Sequence, residues 1–270
     1  MKKNKCFLPL LAVAFLGVFI AACEKEEGIP SPELVTVGAE SDWAHVKVLH
    51  ASPNLRVRIG GADSLDIYLN GIKINSGSNF TYGNAFPANP TAPNSAVGTY
   101  AAVRAGAVNV RVVRRGASVF DSATVASIPT NLVAGGYYSF ILTDSLLNLR
   151  DSSRIFVRDN FPIPTEGRYV MRLIHAAADS ANQRVDIWSA RRNNYLYTNV
   201  ASGTVGSFIS QPQFSVADTL IVRRAGTMQE LTRINNIIFT NQRVYTLVFR
   251  GKEGLTSGAK ARSLIYYLHR

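Results

Sequence analysis

Val48-Leu49-His50-Ala51-Ser52-Pro53 and Leu173-Ile174-His175-Ala176-Ala177-Ala178 are one phrase written twice. Each copy is followed by an acidic, strand-like run, Leu65-Asp66-Ile67-Tyr68 in the first and Val185-Asp186-Ile187-Trp188 in the second. The echo continues with Val112-Val113-Arg114-Arg115-Gly116-Ala117 against Ile221-Val222-Arg223-Arg224-Ala225-Gly226. It ends with Tyr137-Tyr138-Ser139-Phe140 against Val244-Tyr245-Thr246-Leu247, and Ile155-Phe156-Val157 against Leu264-Ile265-Tyr266. Matches that keep their order along the chain mean a tandem duplication. A chain of 270 residues is long enough to give each copy its own core.

Within each copy the apolar residues alternate. Ala44 to His50 places Val46, Val48 and His50 on one face, and Tyr169 to His175 does the same with Met171, Leu173 and His175. Arg172 stands where Lys47 stood. Leu65 to Leu69 alternates again, and Asn70-Gly71 signals a tight hairpin into Ile72-Lys73-Ile74. Val108–Arg114 and Ser118–Val125 read as a hairpin turning at Gly116, repeated by Leu220–Arg224 and Met228–Ile234 across Ala225-Gly226. Tyr137–Leu142 with Arg154–Val157 closes the first unit, and Arg243–Phe249 with Arg262–Leu268 the second. No helical period is sustained, and about seven short strands in roughly 110 residues is the pattern of a β-sandwich. The boundaries that follow are 42–160 for the first repeat, 161–165 for a linker stiffened by Pro162 and Pro164, and 166–270 for the second. From Gly77 to Gly98 the first copy carries a Gly-, Asn- and Pro-rich insertion, and inserted loops are where binding variation is usually lodged.

The N-terminus reads as a targeting segment. Lys2, Lys3 and Lys5 precede an apolar run from Phe7 to Ile20, too short to span a bilayer as a helix, which takes roughly 20 apolar residues. The run ends in Ile20-Ala21-Ala22-Cys23, which resembles the lipobox of bacterial lipoproteins. That resemblance implies a signal peptide over 1–22, cleavage before Cys23, and lipidation of Cys23. Multiple acyl chains anchor far more firmly than one, which binds membranes only marginally. The other cysteine, Cys6, lies inside the signal. The mature chain would then hold no free thiol for a disulfide, for catalysis or for a thiolate metal site. Residues 23–41 are a tether, and Glu24-Lys25-Glu26-Glu27 resembles an export signal that sends lipoproteins to the cell exterior. The expected location is the outer membrane, lipid-anchored and facing outward, with the periplasmic face as the alternative.

Apolar content of 47% and charged content of 17% are those of a folded chain. Removing Lys2, Lys3 and Lys5 leaves 26 basic against 18 acidic residues, a net charge of +8. In the cytosol that balance would point to nucleic acid. In an exported lipoprotein it points instead to the membrane it is anchored in, to anionic polysaccharide, to lipid A or to an envelope protein.

His50 with Asp66 and His175 with Asp186 are the recurrent ionisable pairs. As chemistry they would be a dyad or half a metal site. Both copies keep the pair, which favours a structural role: an imidazole at a strand end bonded to loop backbone or to the carboxylate. No further ligand accompanies them, since His45 has no counterpart in the second copy and metal sites take three or four. Neighbours on a strand point to opposite faces, so only one arginine of Arg114-Arg115, or of Arg223-Arg224, can join an anion-binding patch. Trp188, Tyr195 and Tyr197 are candidates for an aromatic platform under sugar rings, or for core packing. No nucleophile elbow, zinc-protease helix, phosphate-cradling loop or acidic calcium loop is present. The expectation is a non-enzyme with no catalytic residues, no cofactor and no metal.

The phrase His50-Ala51-Ser52-Pro53-Asn54 followed by Asp66-Ile67-Tyr68-Leu69-Asn70-Gly71 resembles the domain of unknown function 4397 family. The second copy matches through His175 to Asp179 and Asp186-Ile187-Trp188, having lost the Ser-Pro. The resemblance implies an immunoglobulin-like sandwich, often duplicated in secreted bacterial proteins and lipoproteins, and brings no activity with it. The expected fold is therefore all-β, two tandem immunoglobulin-like β-sandwich domains behind a lipoprotein signal and tether. The expected role is a binding or structural module. A carbohydrate-binding accessory or adhesin-like surface lipoprotein is the rival, and a hydrolase a more distant one.

Overall fold

Strand β1 (Trp43–His50) is buried on both faces from Val46 onward, and this decides how the molecule is layered. Val46 and Val48 belong to one hydrophobic core, while Leu49, pointing the other way, belongs to another. The computed structural model describes residues 42–54, 64–75, 80–87, 100–115, 124–143, 154–178 and 183–269. The expectations for the signal peptide, Cys23, the tether, most of the Gly77–Gly98 insertion and the Gly116 turn lie outside the described residues.

In chain order the other strands are β2 (Ser64–Leu69), β3 (Ile72–Lys73), β4 (Phe80–Thr81), β5 (Ala85–Phe86), β6 (Ala101–Arg104), β7 (Gly106–Arg114), β8 (Thr124–Leu132), β9 (Tyr137–Leu142) and β10 (Arg154–Arg158). The second half supplies β11 (Arg168–His175), β12 (Arg184–Ser189), β13 (Asn194–Ala201), β14 (Ile209–Pro212), β15 (Asp218–Arg224), β16 (Glu230–Ile237), β17 (Val244–Arg250) and β18 (Ser263–Leu268). They form four sheets. The first repeat has β10-β9-β1-β5, with β6 also on β1, against β3-β2-β7-β8, with β4 on β2. The second has β14-β11-β17-β18 against β13-β12-β15-β16. β1 runs parallel to β9, as β11 does to β17, and the other pairings are antiparallel.

Each repeat closes its own core. Val46, Val48, Leu65, Ile67, Val110, Val112 and Phe140 meet in the first, and Met171, Leu173, Val185, Ile187, Val222 and Leu247 in the second. The molecule is thus a pair of β-sandwiches, as the strand pattern led one to expect. Asn70 and Gly71 both have positive φ, 47° and 84°, which the predicted two-residue hairpin turn requires. The Tyr138 hydroxyl accepts from Val133 N at 2.8 Å, and the Tyr245 hydroxyl from Thr240 N at 2.9 Å. Both are a tyrosine corner, the device that ties a strand start to the chain a few residues upstream in immunoglobulin-like sandwiches.

Three sequence expectations shift. The strand paired with β7 is β8 at Thr124–Leu132, running well past the Val125 at which the expected Ser118–Val125 strand ends, while residues 118–123 lie outside the described residues. β16 starts at Glu230 and reaches Ile237, later than Met228–Ile234, because Thr227 N closes a turn on Arg224 O and holds Met228 out of the ladder. The arginine echo slips by one position: Asp66 lies opposite Val113 but Asp186 opposite Arg223. Arg224 is therefore the counterpart of Arg114, and Arg223 takes the place of Val113.

A third apolar cluster joins the repeats. Leu49, Ala51, Ile141 and Ile155 from the outer face of the β1 sheet pack on Ile174, Ala176 and Val248 from the outer face of the β11 sheet. The ladder registers make these residues equivalent in pairs: Leu49 with Ile174, Ala51 with Ala176, Ile141 with Val248, and Ile155 with Ile265. The seam is therefore built like the self-complementary interface of a twofold dimer, within one chain. Leu49, Ile141, Ile174 and Val248 are each at most 3% exposed, and burial of such a side chain is worth about 1.5–3 kcal/mol. The described residues between 42 and 269 form one compact unit of four sheets.

Candidate functional site

The two predicted pairs come apart. In β2 the core residues are Leu65, Ile67 and Leu69, so Asp66 points away from the core into which His50 is directed. Asp66 takes Lys73 as its ion-pair partner at 2.8 Å. Asp186 accepts instead from the backbone of Asn199 at 2.7 Å and Gly226 at 2.9 Å, tying the β13 bulge to the β15–β16 turn. His50, fully buried, accepts through Nδ1 from Ser52 N at 3.3 Å, which is the loop-backbone alternative of the structural reading. His175 is equally buried beside Phe249, with neither ring nitrogen hydrogen-bonded among the described residues. Burial and then the Arg262 charge push its pKa down to about 4, so it is neutral at pH 7. Neither repeat assembles a dyad.

The proposed aromatic platform also divides. Trp188 and Tyr195 meet edge to face at 4.7 Å, but Tyr197 turns inward and donates to Met171 O at 2.7 Å. Register shifts on either side of Ile187 break the alternation that would have set the three rings on one surface. Arg223 lies 4.8 Å from the centre of the Trp188 ring, a single arginine on a single ring.

What the sequence reading passed over lies at the seam. Lys47 and Arg172 hold equivalent positions, pointing out of their own cores and toward each other's repeat. Asp159, just past β10, accepts from Arg172 Nη2, from Ser139 Oγ at 2.7 Å and from the Tyr100 hydroxyl at 2.8 Å. Arg172 Nε donates to Thr246 Oγ1 at 3.0 Å. His269 touches Thr246 Oγ1 through Nε2 at 2.7 Å and the Tyr100 hydroxyl through Nδ1 at 3.0 Å.

One assignment of protons satisfies every contact. Tyr100 gives its proton to Asp159, so it must accept from His269 Nδ1–H; Nε2 then accepts from Thr246, whose oxygen accepts from Arg172. The bonds close a ring through five side chains, and His269 is neutral within it. Burial, then the positive charges of Lys47 and Arg172, hold its pKa well below the usual imidazole value. Lys47 is 3% exposed, with Nζ 5.0 Å from the Tyr100 ring centre and 4.9 Å from that of Tyr267. Burial pushes its pKa down to about 8, with Asp159 pulling the other way. Burial and Asp159 raise the Tyr100 phenol far above its ordinary range. Groups held in this way fasten two sheets together; they are poorly placed to exchange protons with a substrate.

Beside this ring a cleft of about 610 Å³ opens, lined by the Gly135–Tyr137 turn, by Arg158 to Pro162, and by Phe208 from the second repeat. Its rings are braced by neighbours. Tyr137 stacks on His45 at 4.4 Å, Phe161 on His269 at 4.7 Å, and Phe208 carries the Arg172 guanidinium at 4.9 Å. Arg158 and Asn160 are exposed, and their side chains make no hydrogen bond or ion pair among the described residues. No cluster of three or more His, Cys, Asp or Glu side chains with metal-site geometry occurs among the described residues.

Residues 44–188 match the family model described as Domain of unknown function (DUF4397). No curated protein matches the chain. Among solved structures, a provisionally assigned cell adhesion protein from Bacteroides uniformis is 6% identical, with 84% of this chain and 98% of that chain covered and a TM-score of 0.24. The fimbrial anchor protein Mfa2 from Porphyromonas gingivalis is 10% identical, with 84% and 97% covered and a TM-score of 0.19.

Proposed function

The chain belongs to the DUF4397 family of domains of unknown function, and from that premise we propose that it is a non-catalytic binding module of the cell envelope. In this reading the two sandwiches act as one scaffold, held to the outer membrane by lipid on Cys23 and turned outward by the charges after it. The observation that supports it is the cleft at the seam. A wall contributed by both repeats carries two polar side chains, Arg158 and Asn160, that no group among the described residues occupies. The ionisable groups buried at the seam argue in the same direction, because Asp159, Arg172, Tyr100 and His269 are bonded to one another or to Thr246.

The test is retention of the labelled mature ectodomain, residues 24–270, on envelope material from its own cells, alongside an unbiased screen for turnover. Saturable retention without turnover is expected. Absence of retention together with catalytic turnover of any substrate would overturn the reading.

A further inference from the structure

Resting on the binding-module reading, we infer that the seam cleft binds an anionic sugar. The chain around Asp159 is extended, so Arg158 and Asn160 project to one side while Asp159 points to the other, into the sealed ring with Arg172. Among the described residues Asp159 is the only acidic side chain along the cleft, and its charge is already matched by Arg172. The uncompensated charge on the wall is therefore the Arg158 guanidinium, a planar fork suited to a carboxylate or a phosphate.

The neighbouring chemistry is that of a sugar. Tyr137, Phe161 and Phe208 offer apolar ring surface for the C–H face of a pyranose, and the Asn160 amide offers both a donor and an acceptor to hydroxyls. Beside them, where the 158–160 segment runs along Tyr137 and Tyr138, the lining has no side chains at Gly135 and Gly136. At Gly136 a Cβ would come within 2.7 Å of the Tyr138 ring and 2.8 Å of Val133 O, so the corner that frames the cleft excludes any other residue there. A volume of about 610 Å³ falls within the range of small-ligand sites and suits one or two sugar rings.

The experiment is calorimetric titration of the mature ectodomain, residues 24–270, with trigalacturonate, with galactose 1-phosphate and with uncharged trigalactose. The two charged probes separate a carboxylate source from a phosphate source. The charged sugar should bind, and Arg158→Gln should weaken it by about tenfold or more, as loss of a charge-assisted bidentate contact does. The same change should leave trigalactose unaffected, whereas Asn160→Ala should weaken every sugar that binds. Both residues are exposed, so the variants should melt as the wild type does. If charged sugars bind but both variants bind them as well as wild type, the cleft is not the site, and the binding-module reading survives. If neither charged probe binds, the inference is overturned, and retention on envelope material alone decides the wider reading.

Discussion

Asp159 and His269 hold the same place in their respective repeats and are joined through one atom, the Tyr100 hydroxyl. Asp159 N donates to Tyr137 O as His269 N donates to Val244 O, each directly after the last strand of its sandwich. The two sandwiches thus carry unlike residues at equivalent positions: acid opposite imidazole, lysine opposite arginine, Ser139 opposite Thr246. Identical residues there would have set like charges against each other in a dry seam. The differences let an approximately twofold surface close on itself with its hydrogen bonds satisfied.

Arg172→Met should be among the most damaging single changes in the chain. It leaves the Asp159 carboxylate, itself 3% exposed, without its counter-charge, and breaking a buried pair costs about 3–5 kcal/mol. Chemical denaturation should show that loss, and Arg172→Met with Asp159→Asn should recover part of it. A single variant within about 0.5 kcal/mol of wild type would mean that solvent reaches the seam.

Acid should destabilise the protein before its carboxylates titrate. His175 has a pKa pushed down to about 4 and His269 is shifted the same way, so the unfolded chain binds more protons than the folded one below the ordinary imidazole value. The contribution of the two histidines should therefore be level above about pH 6.5 and fall as pH drops from there toward 4. His175→Asn should flatten that slope in denaturation series run at several pH values, and an unchanged slope would refute the assignment.

Lys47 works in the opposite window. Its folded pKa of about 8 lies below the unfolded value of 10.5, so its contribution improves as pH rises between the two. Lys47→Met should raise the melting temperature at pH 7, and the difference should shrink by pH 10. A variant less stable than wild type at pH 7 would show that the Tyr100 and Tyr267 rings outweigh the desolvation.

Residues 42–160 and 166–270 expressed apart should each give a strand-dominated circular dichroism spectrum, since each encloses a core. Each would also expose the seam face, with Leu49 and Ile141 on one and Ile174 and Val248 on the other. Mixing should give a one-to-one complex in analytical ultracentrifugation, abolished by Leu49→Asp. Two monomers that ignore each other would remove the seam from the list of stabilising interfaces.

Radiolabelled fatty acid should enter the wild type but not Cys23→Ser. On intact cells, proteinase K should degrade the wild type and spare a variant with Lys25, Glu26 and Glu27 all changed to alanine. Survival of the wild type until the outer membrane is breached would put the domains in the periplasm.

The recurring strand pattern, the inward faces of β1 and β11 and the Asn70-Gly71 turn were legible in the sequence. Each is a local matter: alternation is fixed by the pleat of neighbouring residues, and a turn by the φ values its own two residues can adopt. The His–Asp echo was just as legible, yet its meaning was not. Whether His50 and Asp66 meet depends on which face of β2 turns toward β1, and the core claimed Leu65 and Ile67 instead. The one-position slip at Arg223 escaped for a similar reason, since register belongs to paired strands rather than to either strand alone. Leu49 and Ile174 did carry a hint, being apolar on the outward face of strands whose inward face was already apolar, as strands buried on both sides are. What covers that second face, and that Asp159, Arg172, Thr246, His269 and Tyr100 close one ring from positions as far as 169 residues apart, was decided only when two finished sandwiches met. Local periodicity selects the layers, but contact between layers depends on surfaces that exist only after each has folded.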